Sequence, residues 1–467
     1  MNRSVHSQPS SPARSAAPSP SPSPSPSPSP RPSLARPRRL LTGVVAGALA
    51  LTTVSAGSAV AGTAGAPQDR AGWVNAWQGS PTAGGTFSHA TCPADTGIAN
   101  QTVRNLVLLS TGGDTVRVRV SNAFGAAPLH VGAASVAVAA GPQGAATRPG
   151  TLRALRFGGH ASTVVPAGRE VLSDPVRLPV RALQRLALSV YLPRPTGPAT
   201  QHNNSRETNY LAAGDRTSAA AASAFTTPIG CWLFTSGVDV RAARAVLGTV
   251  VALGDSITDG DQSTVDADQR YPDHLARRLA ALSGPTLAVS NAGIGGNEVL
   301  RDRTPALFGV SALHRLQRDV LRQAGVREVI LMEGINDIGA EAATAEAVIA
   351  GYRQIIARVH AAGLPIYAVT LVPFGGSTAQ YGGNYGTAFG ERQRQAVNRW
   401  IRTSGAFDAV FDTDRALRDP AHPDRLLAAY DSGDHLHPSD AGYRRMAATV
   451  DLRVLLRGAS RGHHAAA

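Results

Sequence analysis

Four short segments of this chain carry residue types able to do nucleophilic chemistry. The first, Gly254-Asp255-Ser256-Ile257-Thr258-Asp259-Gly260, follows the apolar run Val250 to Leu253. A serine at a tight strand-to-helix turn presents its hydroxyl and its own N–H to the same space. Taken alone, the tripeptide is equally a helix N-cap. Asn291-Ala292-Gly293-Ile294-Gly295-Gly296-Asn297 comes next, with glycines that let a backbone N–H approach a bound group, or simply make a turn. Gly334-Ile335-Asn336-Asp337 offers an amide that can donate to a developing oxyanion, or an Asx-turn that closes its own loop. The fourth is Asp434-His435-Leu436-His437-Pro438-Ser439. An Asp three residues before a His can turn back to the imidazole N–H and leave the other nitrogen to take a proton from Ser256. Asp431 is a worse-spaced substitute, His435 reads as structural or exposed, and Asp255 and Asp337 read as supports that tighten their loops. A cation site built on Asp434, His435 and His437 is the competing idea. No further ligand group stands out and HExxH is absent, so neither a metal nor another cofactor is expected.

The elements around these segments set their positions. From about Val246 the pattern alternates strand and helix: Val250–Leu253, then a helix face of Leu275, Leu279 and Leu282, then a strand from Leu287 to about Ser290. A helix with Leu313, Leu316, Val320 and Leu321 follows, then the strand Val329–Met332, a helix striped by Val348, Tyr352, Ile355 and Val359, and a strand Ile366–Val372. Such alternation predicts a parallel sheet with helices on both faces and right-handed crossovers. Ligands then bind at the carboxyl ends of the strands, and the first three segments each lie directly after one.

The stretch from Trp73 to Ala245 has a different texture. Val116, Val118 and Val120 alternate with Arg117 and Arg119, Ala134–Val138 repeats the pattern weakly, and Leu186–Leu192 strongly. Gly- and Pro-rich turns separate these runs, so a β-sandwich or jelly roll is expected. Trp73, Trp77 and Trp232 suit a core, with stacking on sugar rings as the alternative. The Gly-rich, aromatic segment from Phe374 to Gly390 reads either as a mobile wall beside the site or as a solvated loop.

At 467 residues the chain is long enough for two folded units plus extras. The net charge is +13, but the first 61 residues hold six Arg and no acid, which leaves a dispersed +7 and argues against a nucleic-acid partner. All 45 basic residues are Arg, which removes P-loop lysines, Schiff-base lysines and Ser–Lys dyads. Cys92 and Cys231 leave open one disulfide or two buried thiols. Residues 18–32 are a Pro-Ser alternation unable to pack. After Arg36-Pro37-Arg38-Arg39, the uncharged stretch from Leu40, with its apolar heart to Leu51, and Ala59-Val60-Ala61 make a signal peptide and cleavage site. Export by the general or the twin-arginine route follows, with a membrane anchor as the weaker reading.

The four segments in this order resemble the SGNH (GDSL-type) hydrolases across roughly residues 246–455, and from Trp73 onward the chain is more loosely similar to secreted actinobacterial two-domain esterases of the acetylxylan or aryl type. The resemblance implies a flavodoxin-like three-layer α/β/α domain at 246–458, preceded by a β-sandwich (jelly-roll-like) domain at 67–245, a leader at 1–61 and a tail at 459–467. It implies Ser256 as nucleophile, Asp434 and His437 as its partners, and an oxyanion hole from Ser256, Gly296 and Asn336. The expected activity is hydrolysis of short acyl esters of carbohydrates or small alcohols through an acyl-enzyme, without cofactor. A lipase for longer chains and a non-catalytic polysaccharide-binding protein are the alternatives.

Overall fold

The run Val250-Val251-Ala252-Leu253 is apolar on every side, and each of its residues is fully buried, as the centre of a parallel sheet covered on both faces requires. The computed structural model describes residues 72–85 and 91–464, all within one compact unit. The leader, the signal peptide and its cleavage site lie outside the described residues.

The parallel sheet consists of β1 (Val246–Gly254), β2 (Thr286–Gly293), β3 (Val326–Met332), β4 (Ile366–Val369) and β5 (Ala409–Phe411), in the order β2-β1-β3-β4-β5. The helices are α1 (Ser256–Asp259), α2 (Tyr271–Ala280), α3 (Ala312–Leu316, continued by a π-helical turn to Leu321), α4 (Ile335–Gly339) and α5 (Ala345–Ala361). They continue with α6 (Thr378–Tyr381), α7 (Ala388–Thr403), α8 (Thr413–Leu417), α9 (Asp440–Thr449) and α10 (Leu452–His464). After β2 the chain crosses back over β1 to β3. Right-handed crossovers therefore place helices on both faces and open a crevice at the carboxyl ends of β1 and β3.

Three expectations need correction. α2 ends at Ala280, so Leu282 leaves the stripe of Leu275 and Leu279 and is exposed. β4 ends at Val369 because the Leu371 N–H bonds to the Asn398 side chain instead of a strand. Residue 459, where the sequence reading begins a tail, falls inside α10.

The amino-terminal half is antiparallel. One sheet runs Trp73–Gln78, Thr235–Ala242, Gly113–Asn122, Arg169–Leu172, with Val176–Val180 also on Gly113–Asn122; the other contains Asn209–Ala213, Gln101–Leu108, Arg185–Leu192 and Ala133–Val138 in that order. Val116, Val118 and Val120 of the first share one core with Val103, Val107, Leu186, Leu188 and Val190 of the second. The opposite face is covered too: Arg117 is buried, pairs with Asp239 at 2.9 Å and lies over the Trp73 ring. Trp73, Trp77 and Trp232 are core residues, with Trp77 and Trp232 edge to face. Cys92 and Cys231 form a disulfide, with Cα atoms 5.9 Å apart. The outer edge of β2 is met by this half, where Ser110 Oγ accepts the Val289 N–H at 3.0 Å. That contact occupies a backbone donor an edge strand otherwise leaves open.

Candidate active site

Ser256 is the first residue of α1, directly beyond β1. Asp255 caps the helix by accepting the Ile257 N–H at 3.0 Å, and Gly260, at φ +100°, ends it after one turn. A Cβ on Gly254 would run into Thr258 Oγ1 and the Met332 carbonyl, so the strand can turn this tightly against β3 only with glycine there. Ser256 is 5% exposed, and its Oγ lies 2.8 Å from His437 Nε2.

His437 stands in the loop that leads into α9, whose cap is Ser439. Its Nδ1 donates to Asp434 Oδ2 at 2.7 Å, while Asp434 Oδ1 accepts the backbone N–H groups of Leu436 and His437 at 2.9 and 2.8 Å. The carboxylate is thus locked by its own loop. Tyr381 Oη donates to the same Oδ2 at 2.9 Å. Burial pushes the Asp434 carboxyl upward, but the His437 ring and the two backbone donors outweigh it and hold it well below the usual carboxylate range. For His437 burial acts downward, and the carboxylates of Asp261 and Asp434 outweigh it, so its pKa is raised. Asp261 Oδ2 lies 3.8 Å from His437 Nε2, on the side of the nucleophile.

The opposite side of Ser256 is built from β2 and β3. Gly296 has φ +75°, and a Cβ there would enter the Phe308 ring. Its carbonyl is held by Arg303 Nη1 at 2.8 Å. Among the described residues neither the Gly296 N–H nor the Ser256 N–H has an acceptor. Asn336, the second residue of α4, gives one amide hydrogen to the Asn297 carbonyl at 2.8 Å, and its Oδ1 accepts from Tyr385 Oη at 2.7 Å. The amide is thereby oriented, with one hydrogen left over. Beneath these loops the buried Arg315 reaches the carbonyls of Gly254 and Ala292 and Asn297 Oδ1, joining the ends of β1 and β2.

The structure brings together Ser256, His437 and Asp434 in one hydrogen-bonded chain, and sets Gly296 on the loop after β2 and Asn336 on α4 after β3. Asp337 receives the N–H groups of Val299 and Leu300, so it ties α4 to the Gly296 loop; burial pushes its carboxyl up to about 6. Asp431 does not compete for His437. It pairs with the exposed His435 at 2.6 Å. Among the described residues no three of His, Cys, Asp and Glu gather in a way that could hold a metal ion.

Tyr381 and Tyr385 were not singled out by sequence reasoning. Both belong to the segment from Phe374 to Gly390, which by sequence reads as a mobile wall or a solvated loop. It lines the site, but as an anchored segment and not a mobile wall: Gly375 N–H donates to the Asp424 carbonyl and Asn384 N–H to the Gly339 carbonyl, both at 2.7 Å. The aromatic content of the segment was the only signal pointing to them.

Residues 252–445 match the GDSL-like Lipase/Acylhydrolase family. No curated protein matches the chain. Among solved structures, the chain is similar to a carbohydrate acetylesterase family member from Sinorhizobium meliloti (18% identity, TM-score 0.36, 44% of this chain and 98% of that one). It is also similar to the aryl esterase of M. smegmatis (17%, TM-score 0.37, 44% and 98%) and to a GDSL-like lipase from Bacteroides thetaiotaomicron (17%, TM-score 0.34, 44% and 87%). Its segment 252–445 belongs to the GDSL-like lipase/acylhydrolase family, and the protein is a serine ester hydrolase of the SGNH type.

Proposed function

We propose that Ser256, His437 and Asp434 are the catalytic triad of an exported esterase that removes short acyl groups from carbohydrates or small alcohols. The observation that carries this reading is the continuous chain from Ser256 Oγ to His437 Nε2 at 2.8 Å and from His437 Nδ1 to Asp434 Oδ2 at 2.7 Å. His437 Nε2 takes the Ser256 proton as Oγ bonds to the ester carbonyl carbon. The oxyanion is met by the N–H groups of Ser256 and Gly296 and by the free hydrogen of the Asn336 amide. Collapse breaks the bond to the alcohol oxygen, which leaves with the proton from His437. Water then attacks the acyl-enzyme, His437 accepts its proton and returns it to Ser256 Oγ, and the carboxylic acid departs. Asp434 keeps the imidazole in the tautomer that accepts on Nε2 and stabilises its charged form.

Short acyl groups are favoured by polar surroundings: Asp261 Oδ2 lies 3.8 Å from His437 Nε2, and the Tyr385 hydroxyl donates to Asn336 Oδ1. Export is supported by the leader from Leu40 to Ala61 and by the Cys92–Cys231 disulfide, a bond that persists in oxidising compartments. Among the described residues no helix is long and apolar enough to cross a membrane.

The test is hydrolysis of p-nitrophenyl esters from acetate to palmitate, with acetylated xylan alongside, by residues 62–467 and by Ser256→Ala. Fast acetate turnover lost in Ser256→Ala is expected, with acetate release from xylan. Preference for palmitate would replace the short-acyl reading by the lipase one. Equal inertness of wild type and variant on every ester would overturn the triad.

A further inference from the structure

The amino-terminal half meets the nucleophile loop through alternate residues of one short segment. His202 Nε2 lies 2.9 Å from Asp259 Oδ1, Asn204 Nδ2 donates to Asp261 Oδ1 at 2.9 Å, and Arg206 Nε donates to the Ser263 carbonyl at 2.9 Å. Thr208 Oγ1 donates to Asp266 Oδ2 at 2.7 Å. Asn204 and Arg206 have φ +55° and +51°, so this is a bent loop rather than a strand, and its four contacts fall on the stretch that directly follows Ser256.

The first of these contacts goes further than docking. His202 and Asp259 are 3% and 4% exposed. The other His202 nitrogen, Nδ1, lies 2.9 Å from the Ser80 carbonyl, which can only accept, so Nδ1 carries a proton. The contact to Asp259 then holds one more proton between imidazole and carboxylate. The second oxygen of Asp259, Oδ2, accepts the Gly295 N–H at 3.1 Å. Gly295 and Gly296 have no Cβ to restrict their backbone, so the direction of the Gly296 N–H depends on bonds imposed from outside.

We propose that His202, from the β half, is a positioning residue for the oxyanion turn, acting through Asp259 on the Gly295 N–H and so on the aim of the Gly296 N–H. This rests on the reading of Gly296 as an oxyanion donor. The β half is then part of the catalytic apparatus, and the three-membered relay of His202, Asp259 and Gly295 is its point of action.

The experiment uses the full chain from residue 62, carrying Asp259→Ala, Asp259→Asn or His202→Phe. It measures kcat and KM on p-nitrophenyl acetate, the fraction of active serines by burst titration with diethyl p-nitrophenyl phosphate, and thermal unfolding. Asp259→Ala should lower kcat per titrated site about 30-fold or more with KM within about threefold, the scale expected for an ångström-sized misplacement. His202→Phe should fall in the same direction. Asp259→Asn keeps an oxygen for Gly295 and an amide for His202, and should stay within about threefold of wild type. A merely structural role would lower the titratable fraction and the unfolding temperature while kcat per titrated site stayed at the wild-type value, and that result overturns the proposal. If Asp259→Ala fails to fold, His202→Phe decides on the same readout. Activity that survives in Ser256→Ala would sink the triad itself, whereas an inert Ser256→Ala beside a fully active His202→Phe and Asp259→Ala sinks only the positioning role.

Discussion

The two sides of Ser256 are assembled in different ways. The proposed acid–base side is local: Asp434 and His437 are three residues apart, and the carboxylate is fixed by the backbone of its own loop through Leu436 and His437. The side proposed to hold the oxyanion is distributed. Gly296 follows β2, Asn336 follows β3, and what orients them comes from Tyr385, Arg315 and Asp337, each on another element. A local arrangement depends on a few backbone hydrogen bonds and leaves a compact signature. A distributed one depends on packing, and its supporting residues carry no signature of their own.

Removing the base by His437→Ala should lower kcat by about 10⁴-fold or more, measured on p-nitrophenyl acetate, because a triad acts as a unit. An unchanged rate would mean that another group takes the Ser256 proton. On the distributed side, Asn336→Ala should cost about 10²- to 10³-fold in kcat, the usual effect of one lost oxyanion donor. A loss confined to KM would show that the amide serves ground-state binding only.

Each side also has one tyrosine hydroxyl. Tyr385→Phe removes the donor that orients the Asn336 amide, and Tyr381→Phe removes one of several donors to Asp434. If the local side is self-sufficient, Tyr385→Phe should lower kcat about tenfold and Tyr381→Phe only about two- to threefold, the range expected when one of several ordering contacts is lost. The reverse order in single-substitution kinetics would contradict the comparison.

The smallest expected effect is a shift in pH dependence. His437 must be neutral to accept the Ser256 proton, and Asp261 and Asp434 raise its pKa against burial. Activity is therefore lost as pH falls through a value above the ordinary imidazole pKa of about 6.5. Asp261, Asp434 and Asp255 are the carboxylates acting on it, with the Tyr381 hydroxyl 3.3 Å from Nδ1. Asp261→Asn removes one negative charge, so the acid limb of kcat/KM should move to lower pH. A limb that stays in place, or moves up, would show that the 3.8 Å contact does not act on the imidazole.

Much of the catalytic half was legible beforehand because its signals are short-range. The run Val250–Leu253 reads as a buried strand from four consecutive apolar side chains, and the stripe of Val348, Tyr352, Ile355 and Val359 reads as a helix face, which α5 is. β5 passed unnoticed: Ala409, Val410 and Phe411 are too few to show a period. Leu282 misled because the leucine spacing continues past the point where α2 stops.

The sequence by itself determined which residues are of a type able to do nucleophilic chemistry and, for the first three segments, the strand ends on which they sit, because residue type, spacing and hydrophobic period are properties of neighbours along the chain. Only the tertiary structure decided what holds them. Tyr385 meets Asn336 across 49 positions, Cys92 meets Cys231 across 139, and His202 meets Asp259 across 57 from the other half of the molecule. Such contacts arise when sheets and loops pack in three dimensions, and no pattern within a window of the chain records them.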